Sequence, residues 1–314
     1  MILLTGIPED QKEAIIPLEH EGKRLISKAF GLCILVYIVA LGTAIGVGFA
    51  ISNTVNLIVM TFVADVAATL VIYVFSCIFV NASFYDPYWS VAPIAIALYW
   101  MITSESTPLI TVRQIIVFTL VLFWGLRLTY NWARQWRGLS HEDWRYANYR
   151  KNNPRFFWWI NLVGIELMPT TFVFLGCLSL YPALSFGSNS FGFLDVVGIV
   201  VTLSAIIIEI IADEQLREFL KSEKKQKRTM SSGVWAYTRH PNYFGEISFW
   251  WGLYFFSLAS DLNYWWTIIG PIAITVLFIF ISIPMMEKHL SKRRSDYAEY
   301  QQKVSKLIPW FPKK

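Results

Sequence analysis

The sequence predicts an all-α polytopic membrane protein with seven to eight transmembrane helices. Three observations carry this. Of the 314 residues, 55% are hydrophobic and 16% charged, against about 25% charged in ordinary soluble proteins. The apolar residues gather in runs near the roughly 20 residues that a bilayer core requires. The 14 Trp and 15 Tyr suit residues that favour the membrane–water boundary.

The runs lie at about 29–51, 56–80, 89–103, 110–131, 157–184, 193–216, 243–260 and 264–286. The third is short, as a tilted, re-entrant or half-spanning element would be. Backbone groups have no water to bond inside lipid, so these runs must be helices rather than open strands. There is no internal repeat and no low-complexity linker, so residues 29–314 read as one domain. Residues 1–28 lack the pattern of a signal peptide and read as a cytosolic, amphipathic leading segment. The three cysteines, Cys33, Cys77 and Cys177, fall in apolar runs with no disulfide or metal spacing.

Charge placement supports the count. With eight spans, the N-terminus, the 127–155 and 217–239 loops and the tail share one side. They hold 4, 7, 7 and 8 Lys and Arg, 26 of the chain's 27. The positive-inside rule then puts both termini and the basic loops in the cytosol. A seven-span arrangement with the N-terminus outside opposes only four cations. The net charge of +5 follows from these loops and requires no nucleic acid. The Asn81 sequon would face the cytosol and stay unglycosylated. Endoplasmic reticulum and bacterial inner membrane fit equally, and oligomeric state is not legible.

Several polar residues sit where lipid would penalise them. Glu209, Asp213 and Arg217 follow at i, i+4, i+8, on one helix face. They read either as a snorkelling helix end with an Asp213–Arg217 pair, or as one wall of a cytosol-facing cavity. Glu166 and Asp65 lie inside spans and need partners. Lys221, Lys224, Lys225, Lys227 and Arg228 form a cationic loop, suited to anionic lipid or to phosphate. Next comes "VWAYTRHPNYFGE", where Pro241 is placed to start a helix whose first amides favour an anion. Tyr237, Arg239, His240, Asn242, Tyr243 and Glu246 crowd that start. Together these suggest a site for a polyanionic, partly aromatic cytosolic ligand. Beyond the last span, Glu287, His289, Arg293, Arg294, Tyr297 and Tyr300 fit a basic surface helix, with His289 nearest the span. In the N-terminal half, Tyr85, Asp86, Tyr88 and Trp89 sit between spans, and Arg127, Tyr130 and Arg134 share a face.

The blocks "FYDPYWSVAP", "FWGLRLTYNWARQWRG", "EDWRY", "ADEQLREF", "GVWAYTRHPNYFGE", "DYAEY" and "IPWFP" resemble an uncharacterised membrane family grouped with the steroid 5-alpha-reductases. The resemblance covers nearly the whole chain. "RHPNY-x-G-[DE]" is also shared with the sterol C14 and C7 reductases. A similar "RHP-x-Y-x-G" occurs in isoprenylcysteine carboxyl methyltransferases.

The reductase resemblance implies a C-terminal cofactor half, about 151–314, that buries NADPH from the cytosolic side, and a substrate half, about 29–150. Asp213, Arg228, Tyr237, Asn242, Glu246 and His289 match cofactor-contacting positions. Arg228 would meet phosphate, and Asn242 and Glu246 the nicotinamide amide. Arg239, His240 and Tyr243 belong to the same shared block. Two positions depart from the pattern: Leu220 stands where a basic residue is usual, and Glu209 where an asparagine is. The proton-donating residue has no aligned counterpart, so Tyr85, Asp86, Tyr130 and Glu166 are the catalytic candidates.

The implied activity is NADPH-dependent reduction of an enone-like C=C in a steroid, sterol or other lipid. The alternatives are an S-adenosylmethionine-dependent membrane methyltransferase and a non-catalytic lipid-binding relative.

Overall fold

The computed structural model describes residues 9–103, 111–186, 189–221 and 228–313, with side chains from Leu25 onward. Helix dominates, and no strand occurs among the described residues. We number the helices α1 (Glu9–Ile51), α2 (Leu57–Ile78), α3 (Tyr88–Ile102), α4 (Val112–Ala133), α5 (Trp144–Asn152), α6 (Phe157–Phe186), α7 (Phe193–Leu220), α8 (Pro241–Ser260), α9 (Leu262–Arg293) and α10 (Tyr297–Lys303).

Six segments among the described residues are long and apolar enough to cross a membrane: Leu25–Ile51, α2, α4, α6, α7 and α9. The other two expected runs also form helices, but differ in kind. With 15 residues, α3 reaches only about 22 Å at 1.5 Å per residue. By contrast α8 has 20 residues, enough length, but Asn, Glu, Gly, Ser, Tyr and Trp dilute its apolar content. Helix α1 runs unbroken from Glu9 into the first apolar segment.

Two helices depart from α geometry. In α6, Asn161–Leu167 and Pro182–Phe186 are π-helical, and α9 is π-helical at Phe278–Ser282. A π-turn admits one extra residue and turns side chains five apart toward each other, a device common at functional sites.

The chain forms two compact units. The first takes in the described residues up to Ser90 together with Arg127–Thr170. The second takes in Val91–Leu126 and the chain from Thr171 onward.

In the first unit α1 packs along α2. The loop after α2 is tied to the segment before and within α5. Asn81 caps the turn Ala82–Phe84, and its Nδ2 donates to the Leu139 and His141 carbonyls at 2.8 and 3.1 Å. The amide of the sequon is therefore buried and already engaged. The Ala82 N–H donates to Glu142 at 2.9 Å, and Glu142 in turn holds Arg150 at 2.7 Å.

In the second unit the principal pairing is α7 against α8. Its seam is built from small residues. A Cβ on Gly245 would strike the Glu209 side chain and the Ala205 carbonyl. A Cβ on Gly252 would strike Thr202, side chain and backbone. These glycines lie seven apart, on one face of α8, and let the two backbones approach closely. A buried ion pair fixes the other end of α7. Arg113 Nε and Nη2 bind Asp195 Oδ1 and Oδ2 at 2.6 and 2.8 Å, and Asp195 also accepts from the Gly192 N–H. The lone cation outside the basic segments is neutralised in this way.

Gly252→Ala should lower thermal stability by about 1–3 kcal/mol, the usual cost of overpacking, because Thr202 backbone atoms stand in the way. Thermal unfolding of the purified protein in detergent measures it, with Gly46→Ala as the control, since nothing lies within 4 Å of a Cβ there.

Candidate functional site

The first unit carries a string of buried polar side chains. From α2, Asp65 accepts from the Tyr88 hydroxyl at 2.6 Å. Thr69, one turn on, donates to the Asp65 carbonyl at 3.0 Å and meets Thr170 of α6 at 2.9 Å. Thr170 also meets the Tyr85 hydroxyl at 2.9 Å. All five side chains are buried. The Tyr85 and Tyr88 rings are 5.6 Å apart, and Tyr37 of α1 packs on Tyr88 at 6.1 Å. The sequence segment "FYDPY" accounts for this: the turn before α3 aims two tyrosines inward, with Asp86 between them. The Asp65–Tyr88 pair was not legible in sequence. Asp65 was visible as an ion in an apolar run, but its partner lies 23 residues away in the chain.

Asp86 does something else. It accepts from the Tyr146 hydroxyl at 2.7 Å and faces Arg145 at 3.9 Å. The blocks "FYDPYW" and "EDWRY" are thus two halves of one lock. Burial, with Asp143 adding to it, pushes the Asp86 carboxyl up to about 6, against the pull of Arg145, Tyr146 and Ser83. Tyr130 is exposed, with Arg134 over its ring at 5.3 Å. Glu166 is fully buried in the first π-turn of α6, where Asn161 Nδ2 donates to its Oε1 at 2.9 Å. The structure therefore brings Tyr85 and Glu166 into the buried interior of this unit, whereas Asp86 closes a loop and Tyr130 faces outward.

In the second unit the polar cluster forms where α8 begins. Arg239 Nη2 binds Glu287 of α9 at 2.9 Å, and His240 Nε2 lies 3.3 Å from the same oxygen. The His240 ring stacks on Tyr243 at 5.3 Å, nearly parallel. The Asn242 side-chain oxygen accepts from the Tyr243 N–H at 3.1 Å. Glu246 is buried and accepts from two indoles, Trp124 at 3.1 Å and Trp250 at 2.9 Å. The Glu209 side chain lies against Gly245.

The stretch before α8 is clamped on two sides. Trp235 Nε1 donates to the Ala212 carbonyl, two turns before the end of α7, 3.1 Å away. From the tail, Tyr300 donates to the Trp235 carbonyl at 2.6 Å, and the Trp310 N–H to the Tyr237 carbonyl at 2.9 Å. Arg239 itself donates to carbonyls of Gln301 and Ser305. This is why "DYAEY" and "IPWFP" accompany "GVWAYTRHPNY": the tail is the outer wall of that loop.

Of the remaining expected residues, Asp213 and His289 are half-buried, while Arg228 and Tyr237 are exposed. Arg217 binds Glu214 and Glu218. Lys224, Lys225 and Lys227 lie outside the described residues. A cavity of about 300 Å³ opens beside this cluster, lined by Thr229, Asp296, Tyr300 and Lys303 among others, and by none of the expected cofactor residues. Asp296 is held below the usual carboxylate range: burial opposes this, but the Thr229 N–H and hydroxyl outweigh it.

Three comparisons bear on these motifs. A family model described as "Protein of unknown function (DUF1295)" matches residues 72–304. The "Uncharacterized protein C594.04c" of Schizosaccharomyces pombe is 24% identical over 253 residues, 73% of this chain and 73% of that protein. No solved structure matches the chain.

Two outcomes follow. The folded state keeps the Asp86 proton to about pH 6, while the unfolded chain releases it near pH 3.9. Stability contributed at this position therefore falls as pH rises from about 4 to about 6 and levels off above. Asp86→Asn, which keeps an oxygen for Tyr146, should flatten that stretch of the curve; thermal unfolding across the range checks it. Glu246→Ala strands two buried indole donors, at roughly 1–3 kcal/mol each, whereas Glu246→Gln keeps an acceptor and should lose less. Paired unfolding curves for the two variants measure the difference.

Proposed function

We propose that this chain, which belongs to the DUF1295 family of unknown function, is a membrane reductase. It saturates a polarised C=C of a lipid-soluble substrate such as a steroid or sterol enone, with NADPH as the reductant. The reading is carried by the donor set at the start of α8. Among the described residues the Asn242 side-chain NH₂ has no protein partner, while its oxygen is held by the Tyr243 N–H. Beside it the Arg239 Nε is buried without a partner. Unused donors at a helix start suit an acceptor-rich ligand, and a nicotinamide carboxamide with its phosphates is one.

Bound there, NADPH would supply a hydride to the electron-poor carbon of the double bond. Asn242 would orient the carboxamide by donating to its oxygen. The His240–Tyr243 stack offers a flat wall beside it. Glu287 keeps Arg239 and His240 in place. Exposed Arg228 and Tyr237, and half-buried Asp213 and His289, are the remaining members of the expected cofactor set. With both carboxylate oxygens engaged by indoles, Glu246 acts as a positioning residue that fixes Trp124 and Trp250. The six long apolar helices suit a substrate that arrives through lipid. Among the catalytic candidates, Tyr85 and Glu166 are the buried ones, and both belong to the first unit.

The test is a ligand contest followed by thermal unfolding in detergent. A ligand at a hundredfold excess over its Kd stabilises the folded state by about 2.7 kcal/mol. NADPH should raise the transition of the wild type. Asn242→Ala should melt like the unliganded wild type and show no NADPH shift. A shift with S-adenosylmethionine and none with NADPH would overturn the reading in favour of methyl transfer.

A further inference from the structure

The tail beyond α10 carries apolar side chains that the protein leaves open. Ile308, Trp310 and Phe311 are 68%, 70% and 75% exposed. The Phe311 ring lies 6.4 Å from the Trp310 ring and 6.1 Å from the Tyr237 ring, and Tyr237 is itself exposed. Trp310, Phe311 and Tyr237 thus form one aromatic patch, with Ile308 beside it in the chain. The patch lies outside the six long apolar helices. A water-facing surface seldom keeps such a patch without a partner.

The tail follows a fixed path. The Trp310 N–H donates to the Tyr237 carbonyl at 2.9 Å, and the Lys313 N–H to the Lys303 carbonyl at 2.8 Å. The Thr238 hydroxyl donates to the Leu307 carbonyl at 2.8 Å. Pro309 and Pro312 bring no N–H that lipid would leave unpaired.

The depth of the tail follows from α9. The apolar stretch of that helix ends at Met286, and Glu287 and Lys288 come next. Leu290, four residues past Met286, packs against Tyr297, Tyr300 and Val304. Four residues of helix advance about 6 Å, and the headgroup layer on each side of a bilayer is about 5–7 Å deep. The α10 segment therefore lies at headgroup level, and the tail continues from it. Charge fits the same place. No acidic residue occurs from Lys303 to Lys313. Lys306 and Lys313 flank the patch, and Lys288, Lys292 and Arg293 stand exposed at the end of α9. Basic side chains beside Trp and Phe suit a leaflet that bears anionic lipid.

We propose that the tail over residues 305–313 seats its aromatic patch in the headgroup layer of the leaflet facing the basic segments, with anionic phospholipid as its partner. Seated there, the tail is a lipid-anchored wall for the start of α8. Its ties to Tyr237 and Thr238, and the bond from the Arg239 N–H to the Ser305 carbonyl at 2.9 Å, pass the anchoring to the residues just before Pro241. The seat in lipid holds whether or not the chain is a reductase.

Nitroxide labels test the seat directly. The full chain carries one label, through Ile308→Cys, Phe311→Cys or, as a control, Glu218→Cys, in phosphatidylcholine vesicles with and without phosphatidylserine. Cys33 and Cys177 are buried and Cys77 half-buried, so wild type labelled in parallel is the blank. Ile308 and Phe311 are exposed, and their replacement leaves the packed core alone. Glu218 lies seven residues past Ile211, the last isoleucine of α7, about 10 Å beyond it along the helix. The two tail labels should be reached by oxygen, which dissolves in lipid, and shielded from a water-soluble nickel chelate. The Glu218→Cys label should show the reverse. Phosphatidylserine should deepen the tail labels, and Lys306→Glu with Lys313→Glu should cancel that gain. Tail labels open to the nickel chelate in both vesicles overturn the proposal. Equal accessibility with and without phosphatidylserine overturns the anionic lipid as partner. Shielding from oxygen and nickel alike also overturns it, and dipolar broadening between labelled chains would then make the patch a contact between two copies.

Discussion

The second unit depends on the closeness of α7 and α8. Gly245 and Gly252 remove two side chains from the seam, and the space they vacate is taken by Glu209 and Thr202. In lipid there is no hydrophobic force to press helices together, so association rests on close packing and buried hydrogen bonds. The seam supplies the packing. Arg113 with Asp195 and Glu246 with its two indoles supply bonds on either side of it. Because α8 is held so tightly, its first turn is held too, and the Arg239–His240–Asn242 cluster sits on a rigid base.

The same constraint explains where the polar residues are. Within apolar surroundings an unpaired polar group costs several kcal/mol, so each one must have a reason. Asp65 has Tyr88, and Asp86 has Tyr146. Arg239 Nε is among the buried atoms without a partner, at a residue that the sequence singles out, and a spare donor there suits an acceptor-rich ligand.

Much of the fold was legible because apolar run length is a direct imprint of bilayer thickness. Every expected run became a helix. Helix α8 differs from the six longer apolar helices in composition, its Trp, Gly and Ser diluting the apolar content. The π-turns were invisible because helical spacing arguments assume 3.6 residues per turn, and Asn161 with Glu166 only makes sense at a different pitch. The motif "RHPNYFGE" was readable as a polar cluster at a helix start. That its Glu246 would be spent on Trp124, 122 residues away, was not, because long-range partners leave no local pattern. Asp86 stood out in sequence as an ion between tyrosines, yet its role is to join two loops.

The most direct measurement is the fate of the hydride. Membranes containing the protein would be supplied with NADPH carrying deuterium at the transferable position of the nicotinamide, and the lipid extract examined by mass spectrometry. The account predicts one deuterium per product molecule, on carbon, in a species two hydrogens richer than its precursor, and none with Asn242→Ala. Labelled methyl passing from S-adenosylmethionine into the same extract, with no deuterium transferred, would contradict it.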